Sequence, residues 1–133
     1  MKRAYPFFLF TNCKAEEAIN LYTSIWGDDV RVSDLVLWTG DNPMGPAGKV
    51  QSVTVTIKGT IFRFMDSEGH AHSLTPSTSI FVDCADEAEL RRAHEMLTDG
   101  GFELMELGEY PFAKLYAWVQ DRYGLNWQLS LSY

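Results

Sequence analysis

Residues 66–72 hold the densest group of side chains in this chain that could do chemistry. Asp66, Glu68, His70 and His72 supply two carboxylates and two imidazoles within one short stretch. A His-x-His pair with flanking carboxylates can hold a divalent metal or pass protons. The same stretch contains Gly69 and lies between two periodic segments, so it also suits a solvated linker, which is the interpretation we favour.

Three further reactive side chains lie on or beside predicted helices. Cys13 and Cys84 stand near helix starts, where a thiol pKa can be lowered, but their matching positions in two repeats favour packing roles. His94 falls on the apolar stripe of the second helix and is interpreted as a packed or partly buried histidine. Two cysteines without paired spacing predict neither a disulfide framework nor a zinc site.

Charge and hydropathy exclude several classes of partner. The chain has 133 residues with 18 acidic and 11 basic side chains, so its formal net charge of −7 would repel nucleic acid and anionic membranes. Hydrophobic residues make up 46%, enough for one domain with a core. The apolar run from Phe7 to Phe10 is too short for a signal-peptide core or a membrane span, so we expect a cytoplasmic protein.

Two copies of one module position these side chains. Each copy is predicted to contain a short strand, an amphipathic helix and three further strands, with module one at about 1–68 and module two at about 75–133. Asn12 is expected to cap the first helix, and Asp86 with Glu89 forms a capping box for the second. The strands are expected at 8–10, 30–38, 50–57, 61–65, 80–82, 102–107, 115–119 and 126–131. The prediction is therefore an α+β fold of two βαβββ modules.

The modules and several short motifs resemble one known superfamily across essentially the whole chain. The motifs are PFFLF at 6–10, AEEAI at 15–19 with Tyr22, GPAG at 45–48, FMDS at 64–67 and WVQDRYG at 118–124, followed by Trp127 and Gln128. Their order and spacing are similar to those of the vicinal-oxygen-chelate superfamily, which includes glyoxalases and bleomycin-resistance proteins. The finer match is to its PhnB-like branch, whose members often carry the name demethylubiquinone methyltransferase.

The resemblance implies a single glyoxalase-like domain in which two curved half-barrels of four strands surround a cavity, commonly in a homodimer. In the superfamily's metal enzymes four positions bind the metal, and here they fall at Phe7, Phe64, Ser77 and Gln128. None of these is a histidine or a carboxylate, and a neutral amide is a poorer ligand for a divalent cation than a carboxylate. We therefore expect no metal at this site.

The same alignment indicates which side chains would line the cavity. Strand alternation from the four positions predicts an apolar, aromatic lining with a few hydrogen-bonding groups, made by Phe7, Leu9, Phe64, Ser77, Ser79, Trp118 and Gln128. The neighbouring Trp127 would then point toward the helices and into the core. Such a lining suits a small apolar or aromatic molecule, although the aromatic rings could also simply fill the barrel.

Three functions stay open at this point. The leading one is a metal-free, PhnB-like small-molecule-binding protein. The alternatives are a metal-dependent lyase or dioxygenase using Asp66, His70 or His72, and a structural dimeric domain with a closed cavity. For methyl transfer, S-adenosylmethionine commonly binds at a Gly-rich turn between a strand and a helix, whereas the Gly-rich loop at 40–48 leads into a strand. No cofactor is predicted, and the sequence names no reaction.

Overall fold

The computed structural model describes residues 2–41, 44–69 and 72–133. The chain divides into two compact units, Met1–His72 and Ser73–Tyr133. Each unit contains one four-stranded mixed sheet and one α-helix of 12 residues. The α+β fold of two βαβββ modules that the sequence predicts is therefore confirmed. No helix in the described part of the chain is long and apolar enough to cross a bilayer.

Unit one has its sheet in the order β1-β4-β3-β2, with β1 parallel to β4 and the other pairs antiparallel. Its elements are β1 (Phe7–Phe10), α1 (Ala15–Trp26), a 3-10 turn (Gly27–Asp29), β2 (Val30–Leu37), β3 (Val50–Ile57) and β4 (Thr60–Asp66). The hairpin between β3 and β4 turns at Lys58 and Gly59, whose φ angles of 47° and 90° match the left-handed pair of a type I′ turn.

The cap of α1 differs from the expectation. Asn12 does not cap the helix, because it lies in an isolated bridge opposite Glu68. The first helical amide, that of Ala15, donates instead to Oδ1 of Asp66 at 2.9 Å. Since β4 pairs with β1 so that Asp66 lies beside Phe10, the sheet register brings this carboxylate to the helix start. A carboxylate at this point stabilises the helix in two ways, because it accepts a hydrogen bond from a free backbone amide and its negative charge interacts favourably with the helix dipole.

Aromatic rings form the core between α1 and the sheet of unit one. Phe10 and Phe64 meet edge to face with ring centroids 4.9 Å apart, and Tyr22 of α1 approaches Phe64 at 6.4 Å. Phe8 and Phe62 complete the cluster. All five side chains are buried. The helix-covered face of this sheet is thus an aromatic core.

Unit two repeats the arrangement with the order β5-β8-β7-β6, in which β5 is parallel to β8. Its elements are β5 (Ile80–Asp83), α2 (Glu87–Thr98), β6 (Phe102–Tyr110), β7 (Ala113–Gln120) and β8 (Asn126–Leu131). Asp86 caps α2 as predicted, and the return bond from Glu89 goes to the residue before the cap. The Glu89 amide donates to Asp86 Oδ1 at 2.8 Å, while Glu89 Oε1 accepts from the Ala85 amide at 2.8 Å.

Candidate functional site

The connection between β7 and β8 is organised by one buried carboxylate. Asp121 is 2% exposed, and its Oδ1 accepts hydrogen bonds from the amides of Tyr123 at 2.9 Å and Leu125 at 3.1 Å. Its Oδ2 accepts from the indole Nε1 of Trp127 at 3.0 Å. These three bonds join the turn to the first residues of β8, so they support the register between the two strands.

That register sends consecutive side chains of β8 to opposite faces of the sheet. Trp127 lies opposite Val119 and is fully buried, as is Leu129 two residues on. The apolar side chains of α2 at Leu90 and Leu97 are also fully buried, since the helix packs on β7 and β8. Gln128 lies opposite Trp118 on the other face and is half-buried. The predicted core position of Trp127 is therefore where the structure places it.

The amide of Gln128 is held from two sides. Tyr116 of β7 donates its hydroxyl to Gln128 Oε1 at 2.6 Å. Gln128 Nε2 donates to Ser79 Oγ at 2.7 Å, and Ser79 directly precedes β5. Because β8 lies between β5 and β7, the two partners reach the amide from opposite neighbours. The orientation of this side chain is consequently fixed by the sheet.

Aromatic side chains lie on the same face of the sheet as this amide. Phe81 of β5 pairs with Gln128 in register and is 56% exposed. Tyr116 packs edge to face against Phe112 at 4.9 Å and against Tyr110 at 5.4 Å. Burial raises the pKa of the Tyr116 hydroxyl, which moves it further above neutral pH, where a tyrosine is already a hydrogen-bond donor. We call the surface formed by Ser79, Phe81, Tyr116, Trp118 and Gln128 the Gln128 face.

Within unit two, the structure brings three residues of the predicted lining together. Ser79, Trp118 and Gln128 share the Gln128 face. Ser77 lies in the segment that precedes β5 and is exposed. Its hydroxyl forms a hydrogen bond with the hydroxyl of Thr75 at 2.6 Å. Tyr116 was not among the predicted residues, although it lies two residues before Trp118 and strand alternation alone puts both on one face.

In unit one, Phe7 and Leu9 lie on the face opposite the aromatic core, where they pair in register with Arg63 and Met65. The predicted position of Phe64 beside them is wrong. Phe64 pairs with Phe8 in register. Its side chain is fully buried and packs against Tyr22 of α1. The sequence alignment was one residue out of phase on β4, and a shift of one residue moves a side chain to the other face.

The structure gives other surroundings to the candidate metal ligands of residues 66–72. Both oxygens of Asp66 are used, because Oδ1 accepts from Ala15 and Oδ2 accepts from the Val50 amide at 3.0 Å. His72 is exposed, and His70 lies outside the described residues. Across residues 2–41, 44–69 and 72–133, no three His, Cys, Asp or Glu side chains converge as a metal-binding group.

The remaining reactive candidates have local partners. Burial raises the pKa of the Cys13 thiol, with a further contribution from the nearby Asp66 carboxylate, which makes it a poorer nucleophile at neutral pH. His94 Nε2 lies 2.7 Å from Glu103 Oε2, and this contact lowers the pKa of the Glu103 carboxyl. The same oxygen accepts from the Leu107 amide at 3.0 Å, so the pair supports the irregular part of β6.

Unit one has an apolar groove of its own. It has a volume of about 400 Å³ and runs between α1 and strands β2 and β3 of unit one. Its walls are mostly aliphatic, with Glu16 and Asn20 at the helix side, and include Ile19, Val32, Leu35, Leu37, Val50 and Val53. We call it the α1 groove. It is a concave surface on which a small molecule could bind.

Comparison with known proteins gives the chain a family. The family model described as 3-demethylubiquinone-9 3-methyltransferase matches residues 2–130. The solved structure of the PhnB protein from Bacillus cereus is 36% identical, with a TM-score of 0.89 over 98% of this chain and 100% of that one.

More distant structures share the fold alone. Protein PA1353 from Pseudomonas aeruginosa is 23% identical with a TM-score of 0.77, covering 99% of this chain and 98% of that one. The fosfomycin resistance protein FosX from Mesorhizobium loti is 13% identical with a TM-score of 0.60, covering 99% and 92%. A sequence search among curated proteins finds no match. Because the family model spans nearly the whole chain, the chain belongs to the 3-demethylubiquinone-9 3-methyltransferase family.

Proposed function

We propose that this chain is a PhnB-like small-molecule-binding protein of the vicinal-oxygen-chelate fold, and that its ligand binds at the Gln128 face. The observation that carries the proposal is the fixed amide of Gln128. A half-buried polar group among Phe81, Tyr116 and Trp118 combines an apolar wall with a directed hydrogen-bonding group. Binding sites for small molecules are built in this way.

The proposed site works without a metal at residue 128. The position that holds a carboxylate ligand in the superfamily's metal enzymes is an amide here, and its oxygen already accepts a short hydrogen bond from Tyr116. A neutral, engaged oxygen offers little to a divalent cation. The polar group is therefore proposed to orient the ligand rather than to polarise it through a metal.

The family name points to methyl transfer from S-adenosylmethionine, and the described residues do not fit the usual site for that cofactor. The turn from β1 to α1 and the turn from β5 to α2 contain no glycine. Both helix starts are closed by the chain's own carboxylates, because Asp66 accepts from Ala15 and Asp86 accepts from Glu89. The methionine carboxylate of the cofactor would meet like charge at either helix start. We assign no step to the cofactor.

The proposal is tested by nuclear magnetic resonance with 2-naphthol as a planar probe. We expect the probe to shift the indole N–H signal of Trp118 and the side-chain amide signals of Gln128. The indole signal of Trp127, which lies in the core, serves as an internal control and should move less. A Trp118→Phe variant assigns the signal.

Two results would contradict the proposal. The first is the absence of any shift at millimolar probe. The second is a set of shifts confined to the α1 groove around Ile19 and Val50, which would move the binding site to unit one.

We also propose a homodimer in which β2 contributes to the interface. β2 is an edge strand, and its apolar side chains Val32, Leu35, Val36 and Leu37 are between 45% and 56% exposed. An edge strand with exposed apolar side chains favours pairing with another chain, and two-fold dimers are the commonest closed assembly. Light scattering on a sizing column should give a dimer mass for the wild type and a lower mass for Leu35→Glu.

A matched control is Phe102→Glu, which introduces the same charge at a 53% exposed position on β6, the edge strand of the other sheet. This variant should stay dimeric. A monomeric wild type at micromolar concentrations would refute the dimer. Dissociation by Phe102→Glu but not by Leu35→Glu would place the interface at β6 instead of β2.

A further inference from the structure

The hydrogen-bonding capacity of Gln128 is only half used. A glutamine amide has two N–H donors and two acceptor lone pairs. Tyr116 takes one acceptor position and Ser79 takes one donor. One donor and one acceptor are left on the same planar group. No other hydrogen bond to this amide occurs among the described residues.

The placement of Tyr116 and Ser79 decides which edge of the Gln128 amide keeps its unused donor and acceptor. Tyr116 stands on β7 and Ser79 precedes β5, so they approach Gln128 from the two strands that flank β8. The line from Oε1 to Nε2 therefore runs across the sheet, with each end facing a protein hydroxyl. With the outer lone pair of Oε1 and the outer N–H of Nε2 taken in this way, the remaining acceptor and donor lie side by side on the edge that joins the two atoms.

We infer that the ligand of the Gln128 face is a planar molecule that carries a hydrogen-bond donor next to an acceptor, as a lactam or a secondary cis-amide does. This inference rests on the proposed function and names the class of ligand. Two parallel hydrogen bonds would join the ligand edge to the amide edge, in the same way that glutamine reads the adjacent donor and acceptor of an adenine edge. The rings of Phe81 and Trp118, which flank Gln128 in register, suit the planar remainder.

The two flanking hydroxyls make Gln128 selective. If the amide rotated by 180°, it would present its donor and acceptor in reverse order, so a fixed orientation discriminates between ligands as well as binding them. Tyr116 and Ser79 are therefore positioning residues. A ligand with two acceptors and no donor would leave the Gln128 acceptor unpaired and bring two lone pairs together, and this costs affinity.

The test compares two probes of the same shape. 2-Quinolone has an N–H beside its carbonyl, whereas coumarin has a ring oxygen in the place of that N–H. We expect 2-quinolone to bind at least about tenfold more tightly, which corresponds to about 1.4 kcal/mol. Dissociation constants come from titrations that follow the Gln128 side-chain signals in the wild type and the Trp118 indole N–H signal in the wild type and every variant. In Gln128→Met, which keeps the length of the side chain and removes its polar atoms, the ratio should fall to about one.

Ser79→Ala provides a second variant outside any helix or strand. It should lower the ratio, because the Nε2 end of the amide loses the hydroxyl that fixes its orientation. Equal binding of both probes at the Gln128 signals would overturn the inference and leave the proposed binding function intact. No binding of either probe at millimolar concentration would overturn both. A tenfold preference that persists in Gln128→Met would also overturn the inference, because a group other than Gln128 would then accept the hydrogen bond from the 2-quinolone N–H.

Discussion

Replacement of Asp121 by asparagine tests how the β7–β8 connection holds the Gln128 face. The substitution keeps the size of the side chain and leaves Oδ1 able to accept from the Tyr123 and Leu125 amides. The other oxygen becomes an NH2 group that faces the Trp127 indole N–H, which lies 3.0 Å away. Two donors then meet in a site that is nearly closed to water.

The expected cost follows from the one hydrogen bond that is lost. A bond to a charged group contributes about 1.5–3 kcal/mol, and a buried donor left unpaired costs about 1–3 kcal/mol. These two figures describe the same event and are not added. The removal of a buried charge offsets part of the loss. We therefore expect Asp121→Asn to lower the free energy of unfolding by about 2 kcal/mol.

Urea denaturation in a double-mutant cycle with Trp127→Phe isolates the indole bond. The phenylalanine has no N–H, so the cost of Asp121→Asn should shrink by about 1–2 kcal/mol in that background. Asp86→Asn is the matched control, since Asp86 is an exposed N-cap and asparagine caps helices equally well. An equal cost of Asp121→Asn in both backgrounds would refute the role assigned to the indole bond.

Three further outcomes are expected. Trp127→Ala should cost about 3–5 kcal/mol in urea denaturation, because a fully buried ring is lost; parental stability would mean that the faces of β8 are reversed. Gln128→Glu should raise the pKa of the introduced carboxyl and alter the pH dependence of ligand binding, and a large rise of Tm with added zinc would contradict the metal-free site. The His94 contact lowers the pKa of Glu103 from 4.5, so its contribution to stability is present at neutral pH and is lost as the pH falls through the lowered value. The stability difference between the wild type and Glu103→Gln should accordingly shrink as the pH is lowered from about 5 to below about 3, and a constant difference over that range would argue against it.

Local patterns in the sequence were sufficient to predict the elements. Strand alternation and helical periodicity placed β3 and β8 at their observed bounds. The pairing of Asp86 with Glu89 at the start of α2 was predicted from neighbouring residues alone. These features depend on interactions within a few residues, and such interactions are written directly in the order of the side chains.

The same patterns failed where the partner of a side chain is distant along the chain. Asn12 looked like the cap of α1, but Asp66 reaches the helix start only because β4 pairs with β1. Phe64 was assigned to the cavity side, and the register of β4 against β1 and β3 turns it into the core. Neither the register between strands nor the carboxylate it delivers is visible from local sequence.

In the candidate site, too, some features follow from local sequence and others from strand pairing. The sequence by itself determined the two βαβββ modules, the amide at residue 128 and the opposite faces of Trp127 and Gln128. Only the tertiary structure decided that Tyr116 and Ser79, 12 and 49 residues away, hold that amide from two sides. The physical reason is that alternation fixes which face a side chain takes, whereas its neighbours on that face are set by strand pairing across the sheet.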